Sequence, residues 1–117
     1  MEEKVLPIRF TDNETGESYE LDFNRESVLF AENREFVPTT VADFPASRVP
    51  EFWYYAFRKN HRKLARTQTD ALLEKVGGMT PSILERLVLL YNQARLANVI
   101  QDDEDLEKNS RVTVELL

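Results

Sequence analysis

The sequence predicts an α+β fold in which an N-terminal β-hairpin packs on three to four α-helices. Two short segments near the N-terminus alternate apolar and polar residues, which is the period of a half-buried strand. Further along the chain, apolar residues recur at the 3.6-residue spacing of helices. With 117 residues, the chain is long enough for one modest core. We therefore expect one domain over residues 1–100 and a flexible acidic tail over residues 101–117.

The two strand patterns occupy residues 6–10 and 19–23, where every second residue is apolar. Asp12, Asn13 and Gly16 lie between them and favour a turn, because they tolerate tight or positive-φ backbone. The two segments therefore predict a β-hairpin with one apolar face. A lone hairpin is marginally stable in water, so we expect helices to cover that face.

Two helices are predicted in the middle of the chain. Asn24 is a good N-cap for a first helix from Arg25 to about Glu35. Residues 36–50 contain three prolines and predict an irregular connection. A second helix is then predicted from Ser47 or Pro50 to about Ala65, with most of its aromatic side chains in the core.

Two further helices are predicted after residue 66. The TQTD pattern of residues 67–70 resembles a capping box, and the helix that it opens is expected to end at Val76, before a left-handed Gly77-Gly78 cap. This Gly-Gly pair is the most plausible hinge. Thr80 as N-cap and Pro81 in the first turn then predict the longest helix, from Thr80 to Ile100. Its core-facing residues are Ile83, Leu87, Leu90, Ala94 and Ala97.

The C-terminal tail carries five carboxylates within residues 101–109, a run that repels itself and should be solvated. It lacks the central glycine and alternating ligands of a calcium loop, so no metal site is expected. Residues 111–116, RVTVEL, alternate again. They predict either a third strand at the hairpin edge or a disordered tail that becomes ordered on binding.

Composition excludes several classes of protein. The net charge of −6 does not favour nonspecific binding to nucleic acid or to an anionic membrane. The absence of cysteine excludes disulfides, thiolate chemistry and cysteine zinc sites. The N-terminus lacks a signal-peptide pattern, and no window reaches the length of a membrane span. We therefore expect a cytoplasmic protein.

No catalytic constellation is visible in the sequence. The single histidine, His61, lies among Arg58, Arg62 and Lys63, without a nearby carboxylate to orient it, and is interpreted as a surface residue. Most carboxylates fall in the hairpin turn or the tail, which are mobile places for a site. The sequence predicts a non-enzymatic protein with no cofactor.

Two surfaces are candidates for binding a partner protein. Leu89, Leu96 and Ile100 form an apolar strip on the far side of the longest predicted helix. Either a neighbouring element of the same chain covers this strip or a partner does. This set of three residues is called the apolar strip below.

The second candidate surface is basic and lies on the second predicted helix. Tyr55, Arg58, Arg62 and Arg66 face away from its core side and are called the basic face below. Arginines with an interleaved aromatic can bind phosphates or acidic peptides. The alternatives are a solvated helix face, or an intramolecular contact in which the acidic tail screens the basic face.

Part of the chain resembles a known family. Residues 8–10, IRF, residues 16–28, GESYELDFNRESV, and then Glu32 and Phe36 resemble the opening of small proteins from tailed phages and prophages of Gram-positive bacteria. Those proteins are similar to tail assembly chaperones. The acidic tail, followed by Lys108-Asn109-Ser110 and a strand-like end, fits the same pattern. The resemblance covers 40 to 50 residues and fixes no binding residue.

The resemblance implies a non-enzymatic chaperone in the cytoplasm of the host bacterial cell. Such a protein binds the long helix of the tape-measure protein, keeps it soluble and helps to recruit tail-tube subunits. For this chain, a monomer and a modest homo-oligomer both stay open. Two alternatives stay open. One is a small nucleic-acid-binding or regulatory protein that uses the basic face, and the other is a structural head–tail component of the virion.

Overall fold

The computed structural model describes residues 4–97, 99–100, 103–108 and 111–117. A two-stranded antiparallel sheet is followed by helices, so the α+β prediction is confirmed. The elements in chain order are β1 Ile8–Thr11, β2 Ser18–Leu21, α1 Arg25–Glu32, a 3₁₀ turn Pro38–Thr40, α2 Pro45–Phe57, α3 Arg66–Val76, α4 Pro81–Leu96 and α5 Asp103–Lys108.

The hairpin forms where the alternating pattern places it. Its register pairs Ile8 with Leu21 and Phe10 with Tyr19, so these side chains share the face toward the helices. The turn is closed by hydrogen bonds from the Asp12 N–H to the Glu17 carbonyl (2.8 Å) and from the Gly16 N–H to the Asp12 carbonyl (2.7 Å). Gly16 has φ 79°, the left-handed backbone that glycine adopts without strain.

The Asp12 carboxylate joins the turn to α3. It accepts hydrogen bonds from the Lys75 ammonium at 2.8 Å and from the Glu14 N–H at 2.9 Å. The Asp12 side chain is only 5% exposed. The Lys75 ammonium, and after it the Glu14 N–H, lowers the pKa of the Asp12 carboxyl from its ordinary value of 3.8. The same contact raises the pKa of Lys75.

This pair predicts a pH-dependent contribution to stability. Because the folded-state pKa of Asp12 is lowered, its contribution is present above the unfolded-state value and is lost as pH falls through the folded-state value. We expect Asp12→Asn to lower the free energy of unfolding at about pH 7 and to differ less from the wild type at about pH 2.5. Urea denaturation at both pH values measures this, with exposed Asp43→Asn as the control. An equal difference at both pH values would contradict the assignment.

The core lies between the hairpin, α1, α2 and α4 and is rich in aromatic rings. Phe23 stacks on Phe52 (5.5 Å between centroids) and meets Tyr91 edge-on (5.1 Å). The Trp53 indole N–H donates to the Thr69 carbonyl oxygen at 2.8 Å, which attaches α2 to α3. The buried apolar residues are Leu21, Phe23, Val28, Ala31, Phe36, Val41, Phe52, Trp53, Tyr55, Ala56, Phe57, Leu72, Leu87, Leu90, Tyr91 and Ala94.

The outer edge of β2 is hydrogen-bonded to the end of α2 and the connection that follows it. The Asp22 N–H donates to the Ala56 carbonyl (3.1 Å), and the Glu20 N–H donates to His61 Nε2 (2.9 Å). The Asn60 amide donates to the Glu20 carbonyl at 3.3 Å. The prediction that the helix runs to Ala65 is therefore wrong: α2 ends at Phe57, and the next residues turn to bind the strand.

Two of the predicted N-caps and the predicted glycine C-cap are confirmed, and one N-cap is corrected. The Asn24 side chain accepts the Ser27 N–H at 2.8 Å, and Thr80 Oγ1 accepts the Ile83 N–H at 3.2 Å. The predicted capping box at residues 67–70 does not form, because α3 already begins at Arg66. Instead, the Gln68 side chain accepts the Ala65 N–H at 2.8 Å. The helix ends as predicted, at left-handed Gly77 with φ 86°.

The C-terminal predictions are corrected in two places. The longest helix ends at Leu96 rather than Ile100, since Ala97 has extended backbone with ψ 122°. Part of the acidic run forms a short helix, α5 Asp103–Lys108, rather than only a flexible tail. Of the two alternatives for residues 111–116, the third strand at the hairpin edge does not form within this chain, since residues 111–117 are described without a strand.

Candidate protein-binding surface

The apolar strip lies on the side of α4 that faces away from the core. At about 100° per residue, Leu89 and Leu96 are separated by roughly 20° around the helix and lie nearly opposite buried Leu87 and Ala94. Leu89 is 47% exposed and Leu96 is 39% exposed. Their spacing along the axis is about 10 Å, close to two helical turns. The described residues of this chain therefore leave both leucines open to solvent.

Ile100 extends the strip beyond the helix rather than along it. The Ile100 N–H donates to the Leu96 carbonyl at 3.2 Å, and so does the Val99 N–H, which makes a tight turn after α4. Ile100 is 68% exposed and Val99 is 56% exposed. The turn adds apolar area at the C-terminal end of the strip, including Val99, which the sequence analysis did not select.

The chain segment before β1 runs beside the same helix. The Val5 N–H donates to Gln93 Oε1 at 2.7 Å, and Arg86 Nη1 donates to the Leu6 carbonyl at 3.1 Å. Both helix residues flank Leu89, at three positions before it and four after it. Leu6 is 68% exposed, so a further large apolar side chain borders this side of α4. Its position could not be predicted from the sequence, because it depends on contacts between residues that are 80 and 88 positions apart.

The basic face predicted on α2 is divided by the structure. Tyr55 is only 2% exposed, so its assignment to a solvent-facing surface is wrong. Its ring packs edge-on against Phe30 and Phe36, and its hydroxyl donates to Glu51 Oε2 at 2.6 Å. Burial, and then the bond to Glu51, raises the pKa of Tyr55. A buried tyrosine offers no ring for a base or a peptide to stack on.

Arg58 lies at the end of α2 and packs against α1. Its guanidinium stands 3.7 Å from the centre of the Phe30 ring, while the Arg34 guanidinium stands 3.5 Å from the same centre. Arg58 also reaches the Glu26 carboxylate at 3.4 Å. Its Nε atom is buried without a hydrogen-bond partner among the described residues. Arg58 therefore joins two helices, which leaves 22% of its side chain exposed.

The other two arginines of the basic face occupy different elements. Arg62 lies in the connection between α2 and α3 and forms an ion pair with Glu26. Arg66 is the first residue of α3 and pairs with Asp70 at 3.0 Å. The basic face is therefore not a stripe on one helix. Its charges are met by Glu26 and Asp70, so the described residues give no support to screening by the acidic tail.

His61 binds the hairpin, a position that its neighbours in the sequence do not predict. Its ring meets Tyr19 edge-on at 5.2 Å between centroids, besides accepting the Glu20 N–H. An open cleft of about 470 Å³ lies beside it, lined by Glu17, Tyr19, Asn60, His61, Arg62, Lys63 and Leu64. Several of its polar groups are already used, since Glu17 accepts the Tyr19 hydroxyl and Asn60 binds Glu20. These contacts tie the hairpin to the connection that follows α2.

Neither metal ligands nor a membrane helix is found within the part of the chain that the structure describes. In those residues, no group of three or more histidine or carboxylate side chains is placed to hold a metal ion. In the same residues, no helix is long and apolar enough to cross a membrane.

The fold and the surface define a small α+β protein with solvent-exposed leucines on its longest helix. The chain belongs to the family described as a domain of unknown function, DUF5055, whose model matches residues 1–116. No curated protein and no solved structure matches the chain.

Proposed function

We propose that this protein is a non-enzymatic tail assembly chaperone of a tailed phage or prophage, and that its apolar strip binds a helical segment of the tape-measure protein. The proposal rests on one observation about the surface. Leu89 and Leu96, 47% and 39% exposed, lie nearly opposite the core on the longest helix. The choice of partner follows from the resemblance, within residues 8–36, to small phage and prophage proteins that are similar to tail assembly chaperones.

The shape of this surface suits an amphipathic helix. Such a helix binds through apolar residues at spacings of three, four and seven positions, and these meet an apolar groove or strip on the partner. Leu89 and Leu96 have the seven-residue spacing themselves, and the turn at Val99 and Ile100 continues the apolar area. Polar Asn92 lies between the two leucines and Glu85 lies about one turn before Leu89, and both border the strip, which gives the mixed rim that protein interfaces carry.

Burial of the strip would supply an apolar part of the binding energy. Complete burial of a leucine side chain contributes about 1.5–3 kcal/mol, and the strip residues are already partly buried, so each would add roughly half of that amount. This contribution is insensitive to salt, whereas ion pairs at a rim weaken as salt screens them. The chain's net charge of −6 would instead select partners with basic segments and hasten their association.

The test is co-expression with a tape-measure protein encoded in the same genome, followed by affinity capture and size exclusion. We expect a soluble complex that survives from about 0.1 M to about 1 M NaCl, because apolar burial dominates it. The purified virion should lack the chaperone, because a chaperone leaves the finished particle.

Three outcomes would oppose the proposal. An insoluble tape-measure protein, with no complex at either salt concentration, would contradict chaperone activity. Salt-sensitive binding to DNA would favour the nucleic-acid-binding alternative, in which affinity falls steeply with salt. Stable presence in purified particles would favour the structural head–tail component.

A further inference from the structure

The outer edge of β2 is hydrogen-bonded to other parts of the chain, whereas the outer edge of β1 is open. In an antiparallel pair, residues directly opposite each other alternate between hydrogen-bonded and non-hydrogen-bonded positions. The N–H and C=O of Glu20 both point away from β1, where they bind His61 and Asn60. The Arg9–Glu20 pair is therefore a non-hydrogen-bonded pair of the sheet. The N–H and C=O of Arg9 must then point away from β2 as well. By the same alternation, those of Thr11 also point outward.

These outward groups of β1 are unpaired within the part of the chain that the structure describes. The side chains of Arg9 and Thr11 are exposed, whereas Ile8 and Phe10 are half-buried against the core. Pro7 has no N–H and so limits pairing at the start of the edge. The open edge is thus short, with Arg9 and Thr11 as its donors and Pro7, Arg9 and Thr11 as its acceptors.

The chain also carries a strand-like segment without a sheet. From residue 112 to residue 116, apolar and polar side chains alternate. The apolar ones are exposed to solvent: Val112 by 58%, Val114 by 52% and Leu116 by 98%. No backbone hydrogen bond joins this segment to the other described residues. β-branched valines and threonine favour extended backbone, so the segment has strand propensity but no partner strand.

We propose that the C-terminal segment, residues 112–117, of one copy of this protein adds as a third, antiparallel strand to the β1 edge of a second copy. In the structure, the segment does not occupy the β1 edge of its own chain. Reciprocal exchange between two copies closes a two-fold dimer, the commonest form of homo-oligomer. This inference does not depend on the proposed function, since it uses neither the apolar strip nor the tape-measure protein.

One register satisfies side chains on both faces of the enlarged sheet. It places Arg9 opposite Glu115, so that opposite charges pair on the solvent face. On the core face, the half-buried rings and aliphatic chains of β1 meet valine and leucine. The resulting pairs are Thr11 with Thr113, Phe10 with Val114, Arg9 with Glu115 and Ile8 with Leu116. If the added strand shifted by two residues, Thr11 would lie opposite Arg111. Arg9 would then no longer lie opposite the Glu115 carboxylate.

Cysteine cross-linking tests this register directly, because the chain has no cysteine of its own. Thr11 and Thr113 would be a hydrogen-bonded pair with Cα atoms about 5.5 Å apart, within disulfide reach. Single variants Thr11→Cys and Thr113→Cys are mixed and oxidised mildly, and the cross-linked peptides are identified by mass spectrometry. We expect a covalent dimer that joins residues 11 and 113. Exposed Thr39→Cys mixed with Thr113→Cys is the matched control and should give little cross-link.

A charge variant tests the same contact without oxidation. Glu115→Arg places two positive charges opposite each other at each of two sites, so we expect the dimer dissociation constant to rise about tenfold or more. Size exclusion with light scattering measures it, and Glu104→Arg in α5 is the control with the same change of charge. A monomer at about 100 μM without the 11–113 cross-link would overturn the proposal. So would a double variant, Thr11→Cys with Thr113→Cys, that cross-links only within single chains.

Discussion

Replacing Trp53 by alanine should lower the free energy of unfolding by about 3–5 kcal/mol, the usual cost of removing a large buried aromatic side chain. Trp53 is 1% exposed and packs against the hairpin as well as against its own helix. It meets Phe10 of the hairpin at 5.9 Å and Phe57 of its own helix at 5.2 Å between centroids. Its indole N–H also holds the Thr69 carbonyl of α3. A loss of this size is a large part of the stability of a small domain.

The variant Trp53→Phe distinguishes the stability that comes from the buried ring from the stability that comes from the indole hydrogen bond. It keeps an aromatic ring but removes the indole N–H donor to α3, so we expect a smaller loss of about 1–2 kcal/mol. Urea denaturation followed by far-UV circular dichroism measures both variants, since the only tryptophan is the residue removed. Phe44→Ala is the control, because Phe44 is 62% exposed. If Trp53→Ala changed stability as little as Phe44→Ala, the packing described for α2 would be wrong.

The double variant Leu89→Ser, Leu96→Ser should weaken the proposed tape-measure complex by roughly tenfold or more. Both leucines are partly buried already, so a partner adds about half of the 1.5–3 kcal/mol of complete burial for each, and about 1.4 kcal/mol corresponds to a factor of ten in affinity. Adding Ile100→Ser should weaken the complex further. Titration of the purified protein with a tape-measure segment, followed by calorimetry, measures the dissociation constant of each variant.

The free protein should tolerate these substitutions, since both leucines are already substantially exposed. We expect the free energy of unfolding to change by about 1 kcal/mol or less. Leu29→Ser is the matched control, because Leu29 is 54% exposed and lies on a different helix, α1. Equal binding by the double variant and the wild type would show that another surface carries the interaction. Equal weakening by Leu29→Ser would show a general effect of surface polarity.

Much of the fold could be predicted from local signals. The period of two places both strands, and the caps at Asn24, Gly77 and Thr80 are short-range contacts that follow from residue type. The ends of α2 and α4 could not be predicted in this way. α2 stops because Asn60 and His61 bind a strand 40 and 41 residues away, and no helix signal encodes that contact.

The candidate surface shows the same division. The apolar strip was visible because helical spacing alone separates Leu89 and Leu96 from the core residues of α4. Tyr55 was misplaced because α2 is covered on two sides. The hairpin packs on Trp53 and Phe57, whereas Phe30 and Phe36 cover the side that carries Tyr55. A helical wheel of α2 shows which residues form its apolar side. It does not show that another part of the chain covers a second side of the helix.

The hydrogen bonds on the outer edge of β2 have a consequence for the order of folding during synthesis. The hairpin leaves the ribosome first, but a two-stranded hairpin is marginal by itself. The groups that complete its edge, Ala56, Asn60 and His61, are translated about 40 residues later. Stable hairpin structure must therefore wait until α2 has emerged and docked. Until then the nascent chain exposes both edges of an incomplete sheet, which is the stage at which it is most vulnerable to aggregation.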